Sequence, residues 1–307
     1  MPKLAILLAV YNGAAHLAEQ LDSYAAQDET DWQLWVSDDG STDGSREIVA
    51  RFAAARPKDK VKVVEGPRQG SAMNFRHLLK ALPPDMPRAA FSDQDDVWLP
   101  HKLTRALRAL DEVPQEVPAI YCSRTIICDE DLRPRRPSRI FRRPPGFCNA
   151  LVQNIAAGNT IVFNPAALRL VRAANAEAAE VTLHDWWVYQ IVTGAGGQVI
   201  SDAEPGLLYR QHDGNLVGAN NGLRALLVRL AMMLNGRYSV WNSVNIAALS
   251  ASAHRLTGEN RAILHHFARA RQSRLPRRLV LLARAGLYRQ TPLSQAGFWL
   301  AALLGRI

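Results

Sequence analysis

Asp93, Asp95 and Asp96 place three carboxylates within four residues, in the stretch Ser92-Asp93-Gln94-Asp95-Asp96-Val97-Trp98. Like charges this close repel one another, and a cation relieves the repulsion. Hard divalent cations such as Mg²⁺ or Mn²⁺ take oxygen ligands and bridge protein carboxylates to a diphosphate. A solvated acidic turn is the alternative. Trp98 and Leu99 follow directly and would bury the base of the cluster. A second polar cluster is Ser37-Asp38-Asp39-Gly40-Ser41-Thr42-Asp43. It is not an EF-hand, because Gly40 occupies a ligand position in that register. Nor is it a phosphatase D-x-D-G motif, because Ser37 stands where the nucleophilic aspartate belongs. A turn plus helix cap remains open for it. The third cluster, Tyr11-Asn12-Gly13, reads by itself as a plain turn.

Each cluster ends an apolar run. Leu4 to Val10 is continuously apolar, as in a strand buried on both faces. Gln33 to Ser37, Val61 to Val64 and Ala89 to Ser92 read as further strands. Helical patterns lie between them: Leu17, Leu21 and Tyr24; then Ile48, Val49 and Phe52; then Met73 to Leu82; then Leu103, Leu107 and Leu110 after Pro100. Repeated βα units predict an α/β fold, a mostly parallel sheet with helices on both faces. Ligands of such sheets bind beyond the carboxyl ends of the strands, where the polar clusters fall. Further on, Asn159 to Phe163 reads as a strand and Asp185 to Thr193 as part of a helix. Arg133 to Pro145, RPRRPSRIFRRPP, reads as a loop: a solvated linker, or a flap that meets an anionic substrate.

Charge divides the chain. Residues 221–307 hold 13 arginines, no lysine and one acid, Glu259, for a net +12, whereas residues 1–220 carry −3. A domain boundary near residue 220 is expected, at the turn signal Asn220-Asn221-Gly222. The basic segment is helical in pattern, with apolar groups such as Leu226-Leu227-Val228, Met232-Met233-Leu234 and Leu279 to Leu282 between arginines. Such a composition suits an anionic membrane surface better than nucleic acid. Helices packed on the first domain, with arginine exposed for solubility, are the third reading. Cys122, Cys128 and Cys148 are too few for a disulfide framework and form no CxxC pair. The apolar start lacks a small-x-small cleavage site and reads as a strand of a cytoplasmic protein. No run of 18 apolar residues predicts a membrane span.

The strand AILLAVYNG, the strand VSDDGSTDGS and the D-x-D motif in SDQDDVWLPHKL, in this order, resemble the family-2 nucleotide-sugar glycosyltransferases of the GT-A fold. The resemblance covers about residues 3 to 215. SDQDDVW, with HDWW at His184 to Trp187 and YRQHDGN at Tyr209 to Asn215, resembles the rhamnosyltransferase-like branch. It implies residues 1–220 as a GT-A catalytic domain, while composition gives 221–307 as a helical, arginine-rich segment expected to associate peripherally with the membrane. It also implies inverting transfer of a sugar, with dTDP-L-rhamnose one candidate donor, from a UDP- or dTDP-sugar to a glycan or lipid-linked acceptor in cell-surface polysaccharide synthesis. Val10 and Tyr11 would frame the base, and Asp39 or Asp38 would accept from a uracil or thymine N–H. Arg68 falls where the family has a base or phosphate contact, although the usual asparagine–glycine pattern reads Arg68-Gln69-Gly70 here. Asp93 and Asp95 form the D-x-D motif, and Asp95 and Asp96 would hold Mg²⁺ or Mn²⁺ and the ribose between them. His212 would close the metal site, and Arg210 would balance the diphosphate. Asp185 stands at the position of the base that deprotonates the acceptor. A helix N-cap ahead of Trp186 is its alternative or additional role. Trp186 and Trp187 would offer faces to a sugar ring and help bury Asp185. In the family a glutamate more often precedes that aspartate, where this chain has His184. Gly158-Asn159-Thr160 would shape the acceptor floor. The competing functions are a nucleotide-sugar hydrolase or another metal-dependent phosphoryl-transfer enzyme, and a non-catalytic nucleotide-sugar or nucleic-acid binding module.

Overall fold

The structure, a computed structural model, describes residues 2–211 and 235–307. The early strands form where the apolar runs predict them: β1 (Leu4–Val10), β2 (Trp32–Asp38), β3 (Val61–Glu65) and β4 (Ala89–Ser92). They pair in parallel in the order β3-β2-β1-β4. Helices α1 (Leu17–Ala25), α2 (Ser45–Ala54) and α3 (Ser71–Ala81) connect them. Side chains of β1 alternate between two cores. Leu4, Ile6 and Leu8 pack with Leu17, Leu21 and Phe52 on one face. Ala5 and Leu7 pack with Phe75, Leu78 and Leu79 on the other. Both faces are therefore covered, which is why β1 carries no polar residue.

Beyond β4 the sheet becomes mixed. After β5 (Val97–Trp98) and α4 (Lys102–Asp111) come β6 (Ala119–Cys128), β7 (Pro134–Pro137), the short α5 (Phe147–Ala150), β8 (Val162–Phe163), α6 (Pro165–Glu177), α7 (His184–Gly194) and β9 (Gln198–Arg210). The full order is β3-β2-β1-β4-β8-β6-β9-β5, with β7 beside β6. β8 runs antiparallel to both β4 and β6, while β9 runs parallel to β6. The expected strand from Asn159 to Phe163 forms only at Val162–Phe163; Gly158–Thr160 is a 3₁₀ turn. The stretch 133–145 is not wholly a loop. Pro134–Pro137 pairs with β6, and Arg124 secures its end by donating to Ser138 O from Nε at 2.9 Å. The prolines fit because β7 is exposed and lies off the main path of the sheet.

The basic segment is helical where described: α8 (Arg237–Ala251), α9 (Gly258–Gln272), α10 (Arg277–Arg284) and α11 (Pro292–Leu304). These helices close the larger core. Leu249, Phe267, Leu282 and Phe298 are buried with Phe147, Trp187 and Tyr189. Asn149 donates to Tyr288 O at 3.0 Å, and Asn260 donates to Gly194 O at 3.0 Å. Glu177 of α6 accepts from Arg255 and Ser252. Packing against the first part of the chain is thus a property of the segment. The turn near residue 220 and the apolar groups at 226–228 and 232–234 lie outside the described residues.

Candidate active site

The three polar clusters meet at the carboxyl ends of β1, β2 and β4, joined through backbone amides. Asp39 N donates to Val10 O at 2.8 Å. Asn12, at φ 46°, donates from its amide to Ser41 Oγ at 3.0 Å and accepts from Thr42 N at 2.8 Å. Gly13 N donates to Ser45 Oγ at 2.9 Å. Gln94 reaches from the acidic turn to both polar groups of the Tyr11 backbone, accepting from its N at 2.9 Å and donating to its O at 3.0 Å. A Cβ at Gly13 would overlap the Gln94 amide, so a side chain there would displace this clamp. The sequence reading did not single out Gln94. Its position between two aspartates drew attention to the charges instead.

Val10 is buried, so it presents backbone, while the Tyr11 ring is 58% exposed at the rim. Asp38 points into the turn that follows it. Its Oδ1 accepts from Gly40 N, Ser41 N and Arg46 Nε at 3.1, 2.9 and 3.0 Å. Those bonds hold its pKa below the ordinary value despite burial. Asp39 accepts from Arg68 N at 2.6 Å and Gly70 N at 2.8 Å, fixing the loop after β3. A carboxylate has about four lone-pair sites, so two such bonds leave Asp39 able to accept from a ligand. Arg68 is exposed at φ 58°, with its side chain across Gly40.

The acidic turn rests on a buried polar floor. Tyr24 Oη and Gln20 Nε2 both contact Ser92 Oγ, at 2.7 and 2.6 Å, and Gln20 also donates to Asp93 O at 3.1 Å. Asp93 and Asp95 are partly exposed at the cleft, whereas Asp96 is fully buried. Asp96 Oδ2 accepts from Asn159 Nδ2 at 2.6 Å, and its Oδ1 has no hydrogen-bond partner among the described residues. Burial first, then the neighbouring carboxylates, pushes both Asp93 and Asp96 well above the usual range. Below them Lys102 is buried, donates to Asn159 O at 2.7 Å and lies 4.0 Å over the Trp98 ring. Burial lowers its pKa to about 7. Lys102 was invisible to the sequence reading, because a lysine on a helix is ordinarily solvated.

Arg210 does not stand ready for a diphosphate. Its side chain is 3% exposed, and it donates to Asp95 O at 3.0 Å, to Glu130 O and to Glu19. It fixes the backbone of the acidic turn. His212 lies outside the described residues. Among the described residues no three His, Cys, Asp or Glu side chains are grouped to hold a metal by themselves. The donors nevertheless suit Mg²⁺ or Mn²⁺, which need one or two carboxylates when water and substrate phosphates complete the shell. The unpartnered Asp96 Oδ1 and the mutual repulsion at the turn agree with that chemistry.

Asp185 sits across the cleft, close enough to Asp93 to raise the latter's pKa. It is the second residue of α7, not the cap: Leu183 is the N-cap and provides no side-chain bond. Asp185 Oδ1 accepts from Trp186 N at 2.6 Å and Oδ2 from Gly158 N at 3.1 Å. Burial raises its pKa to about 6, outweighing these bonds. Trp186 and Trp187 do not offer ring faces to a sugar. They are 4% and 0% exposed, Trp186 donates to Ala150 O at 2.6 Å, and Trp241 of α8 packs edge-on at 6.2 Å. Helices α3, α5 and α6 and the helices of the basic segment together enclose them. His184 is equally internal, stacked on Phe75 at 3.9 Å and edge-on to Phe91 at 5.0 Å. Burial drives its pKa down to about 3, so it is neutral.

A parallel α/β sheet whose strand ends gather carboxylates, with the carboxylate of Asp185 near them, has the form of a GT-A fold. The chain belongs to glycosyl transferase family 2, whose family model matches residues 5–176. It is 28% identical over 240 residues to a dTDP-rhamnosyl transferase, RfbG, of Shigella flexneri, covering 75% of this chain and 80% of that protein. It is 36% identical over 103 residues to an uncharacterized glycosyltransferase of Nostoc, 34% of this chain and 31% of the other. The structure resembles Staphylococcus aureus TarS 1–349 in complex with UDP-GlcNAc, with TM-score 0.53, 16% identity and 93% of each chain covered. It also resembles the mannosyltransferase PcManGT of Pyrobaculum calidifontis in complex with GDP-Man and Mn²⁺, with TM-score 0.53, 19% identity, 99% of this chain and 86% of that one. The fold is GT-A.

Proposed function

We propose that the chain transfers a sugar, with inversion, from a UDP- or dTDP-sugar to a hydroxyl of a glycan or lipid-linked acceptor at an anionic membrane surface, in cell-surface polysaccharide synthesis. dTDP-L-rhamnose is the first donor to try, because the similarity to a dTDP-rhamnosyl transferase extends over 240 residues. The observation that carries this reading is Asp185, a carboxylate raised to about 6 and set opposite the acidic turn.

Asp39 accepts from the N–H of the pyrimidine, with the Tyr11 ring and Arg68 at the rim. Asp93 and Asp95 face the ribose and diphosphate. A divalent cation held by Asp95 with Asp96 or Asp93, and by His212, would neutralise charge on the leaving diphosphate. Asp185 accepts the proton of the acceptor hydroxyl. The oxygen bonds to the anomeric carbon on one face while the bond to the diphosphate breaks on the other, and the diphosphate leaves with the electron pair. Arg210, Gln94 and Lys102 keep the acidic turn in place.

The test is thermal stabilisation by a panel of nucleotide sugars with Mn²⁺, followed by product analysis. A ligand that binds only the folded chain raises its melting temperature. Stabilisation by dTDP- or UDP-sugars and appearance of glycosylated acceptor support the reading. Free reducing sugar as the only product assigns hydrolysis instead.

A further inference from the structure

Helix α11, PLSQAGFWLAALL, contains no charged residue. Its inner face, Phe298, Ala301 and Ala302, completes the larger core. The outer face is apolar too. Leu293, Leu300, Leu303 and Leu304 are 66%, 45%, 49% and 53% exposed, with Ala296 on the same stripe. Their spacing of three, four and seven residues keeps them on one side of the helix. A surface helix ordinarily turns polar residues outward, and one that is apolar all round belongs inside protein or lipid. At about 1.5 Å per residue, its 13 residues fall far short of a bilayer core of about 30 Å. Among the described residues no helix is long and apolar enough to cross a membrane. The stripe therefore suits lying along an apolar layer, not passing through one.

Arginines bracket the stripe. Ahead of Leu293, Gln290 accepts from Arg143 N at 3.0 Å and donates to Arg143 O at 3.0 Å, while the Arg143 guanidinium lies 4.1 Å over the Tyr288 ring. These contacts fasten the exposed loop Arg139-Ile140-Phe141-Arg142 to the chain just before α11. Ile140 is 53% exposed and Phe141 36%. Behind Leu304, exposed Arg306 follows by two residues. Arg278 donates to Ala302 O at 3.0 Å and ties α10, with its exposed Arg277, Val280 and Arg284, to the end of α11. Glu259 is the single acid in residues 221–307.

We propose that the outer stripe of α11 and the tip of the 139–142 loop form one docking surface for an anionic phospholipid bilayer. This rests on, and gives a location to, the membrane reading above. The leucines, Ile140 and Phe141 enter the interfacial layer, and the surrounding arginines meet the headgroup phosphates. Charge decides the occupant. A second copy would set arginines against arginines, and a nucleic acid would leave the leucines in water.

The experiment is co-sedimentation of the full chain with vesicles of phosphatidylcholine alone and of phosphatidylcholine mixed with phosphatidylglycerol. The parent should pellet with the mixed vesicles, less so at high salt. Leu293→Gln/Leu300→Gln/Leu303→Gln should weaken that binding by about tenfold or more, as should Arg139→Glu/Arg142→Glu. Both variants change exposed side chains away from the cleft, so their melting and their dTDP or UDP affinity should match the parent's. Equal binding to neutral vesicles overturns the proposal, as does unchanged binding by the leucine variant. A parent dimer that the leucine variant dissolves assigns the stripe to a second copy. Vesicle binding without nucleotide-sugar binding would leave the docking surface standing and remove the transferase reading.

Discussion

The amide of Gly158, ahead of β8, donates to Oδ2 of Asp185 at the start of α7, at 3.1 Å. A Cβ at position 158 would lie 3.3 Å from Asp185 Cβ and 2.8 Å from His184 Nε2. His184 is held between two aromatic rings and has little room to yield. Gly158→Ala should therefore displace the carboxylate. Its kcat should fall by tenfold or more, since a misplacement of about 1 Å can cost on the order of 10²-fold. Nucleotide affinity should stay within about twofold, because Asp39 and the acidic turn are untouched. Steady-state kinetics together with nucleotide titration check both halves.

Asp185→Asn removes the base but keeps an oxygen for one of the two amides. We expect kcat to drop by about 10²–10⁴-fold, with nucleotide affinity nearly unchanged. Near-normal turnover would leave only the helix-terminus role.

Asp185 also makes a pH prediction with two signs to check. The base works deprotonated, so kcat should rise with pH through about 6 and level off above it. Stability runs the other way. A carboxyl whose folded pKa lies above its unfolded value stabilises the fold fully only below the unfolded value, and loses that contribution as pH rises through the folded one. Asp185→Asn should thus melt higher than the parent at neutral pH, by on the order of 1 kcal/mol, and the gap should close near pH 4. A gap that widens on acidification would contradict the burial that raises this pKa.

Asp39 should select the base. Its oxygens already accept two backbone amides, and the remaining capacity suits an N–H donor of uracil or thymine. Competition binding should rank UDP and dTDP above GDP and ADP by at least about tenfold. A preference for GDP would remove the argument.

β1 and β4 were legible because both their faces are covered, which leaves apolar runs ending in polar clusters, and β2 because Leu34, Trp35 and Val36 lead into another. The meeting of those clusters followed from the parallel topology. β6 and β9 were not anticipated. Asp202, Glu204 and Pro205 interrupt β9, and the sheet absorbs them by register shifts opposite Ser123, Arg124 and Thr125. Trp186 and Trp187 were misjudged because residue type carries no direction. Their inward placement follows from α5, α6 and α8 packing on α7, with Ala150 O accepting from the Trp186 indole and Trp241 edge-on to its ring. Arg210 was misjudged in a similar way, since its partners Glu19 and Glu130 are distant in the chain.

The last expectation concerns the cation. Asp93 and Asp95 border the cleft, and the repulsion among the three carboxylates is met only partly by Asn159 and the buried Lys102. A diphosphate adds further negative charge to that surface, so nucleotide binding should need a divalent ion. EDTA should abolish the rise in melting temperature that UDP or dTDP produces, and Mn²⁺ or Mg²⁺ should restore it. Asp95→Asn keeps the size of the side chain, and Arg210 holds the residue by its backbone carbonyl, which the substitution preserves. The variant should therefore fold, yet lose tight, metal-dependent nucleotide binding, by about tenfold or more. Calorimetry of nucleotide binding with and without Mn²⁺ reads this directly. Unchanged affinity in Asp95→Asn, together with indifference of the parent to EDTA, would assign the acidic turn a structural role and place diphosphate neutralisation elsewhere.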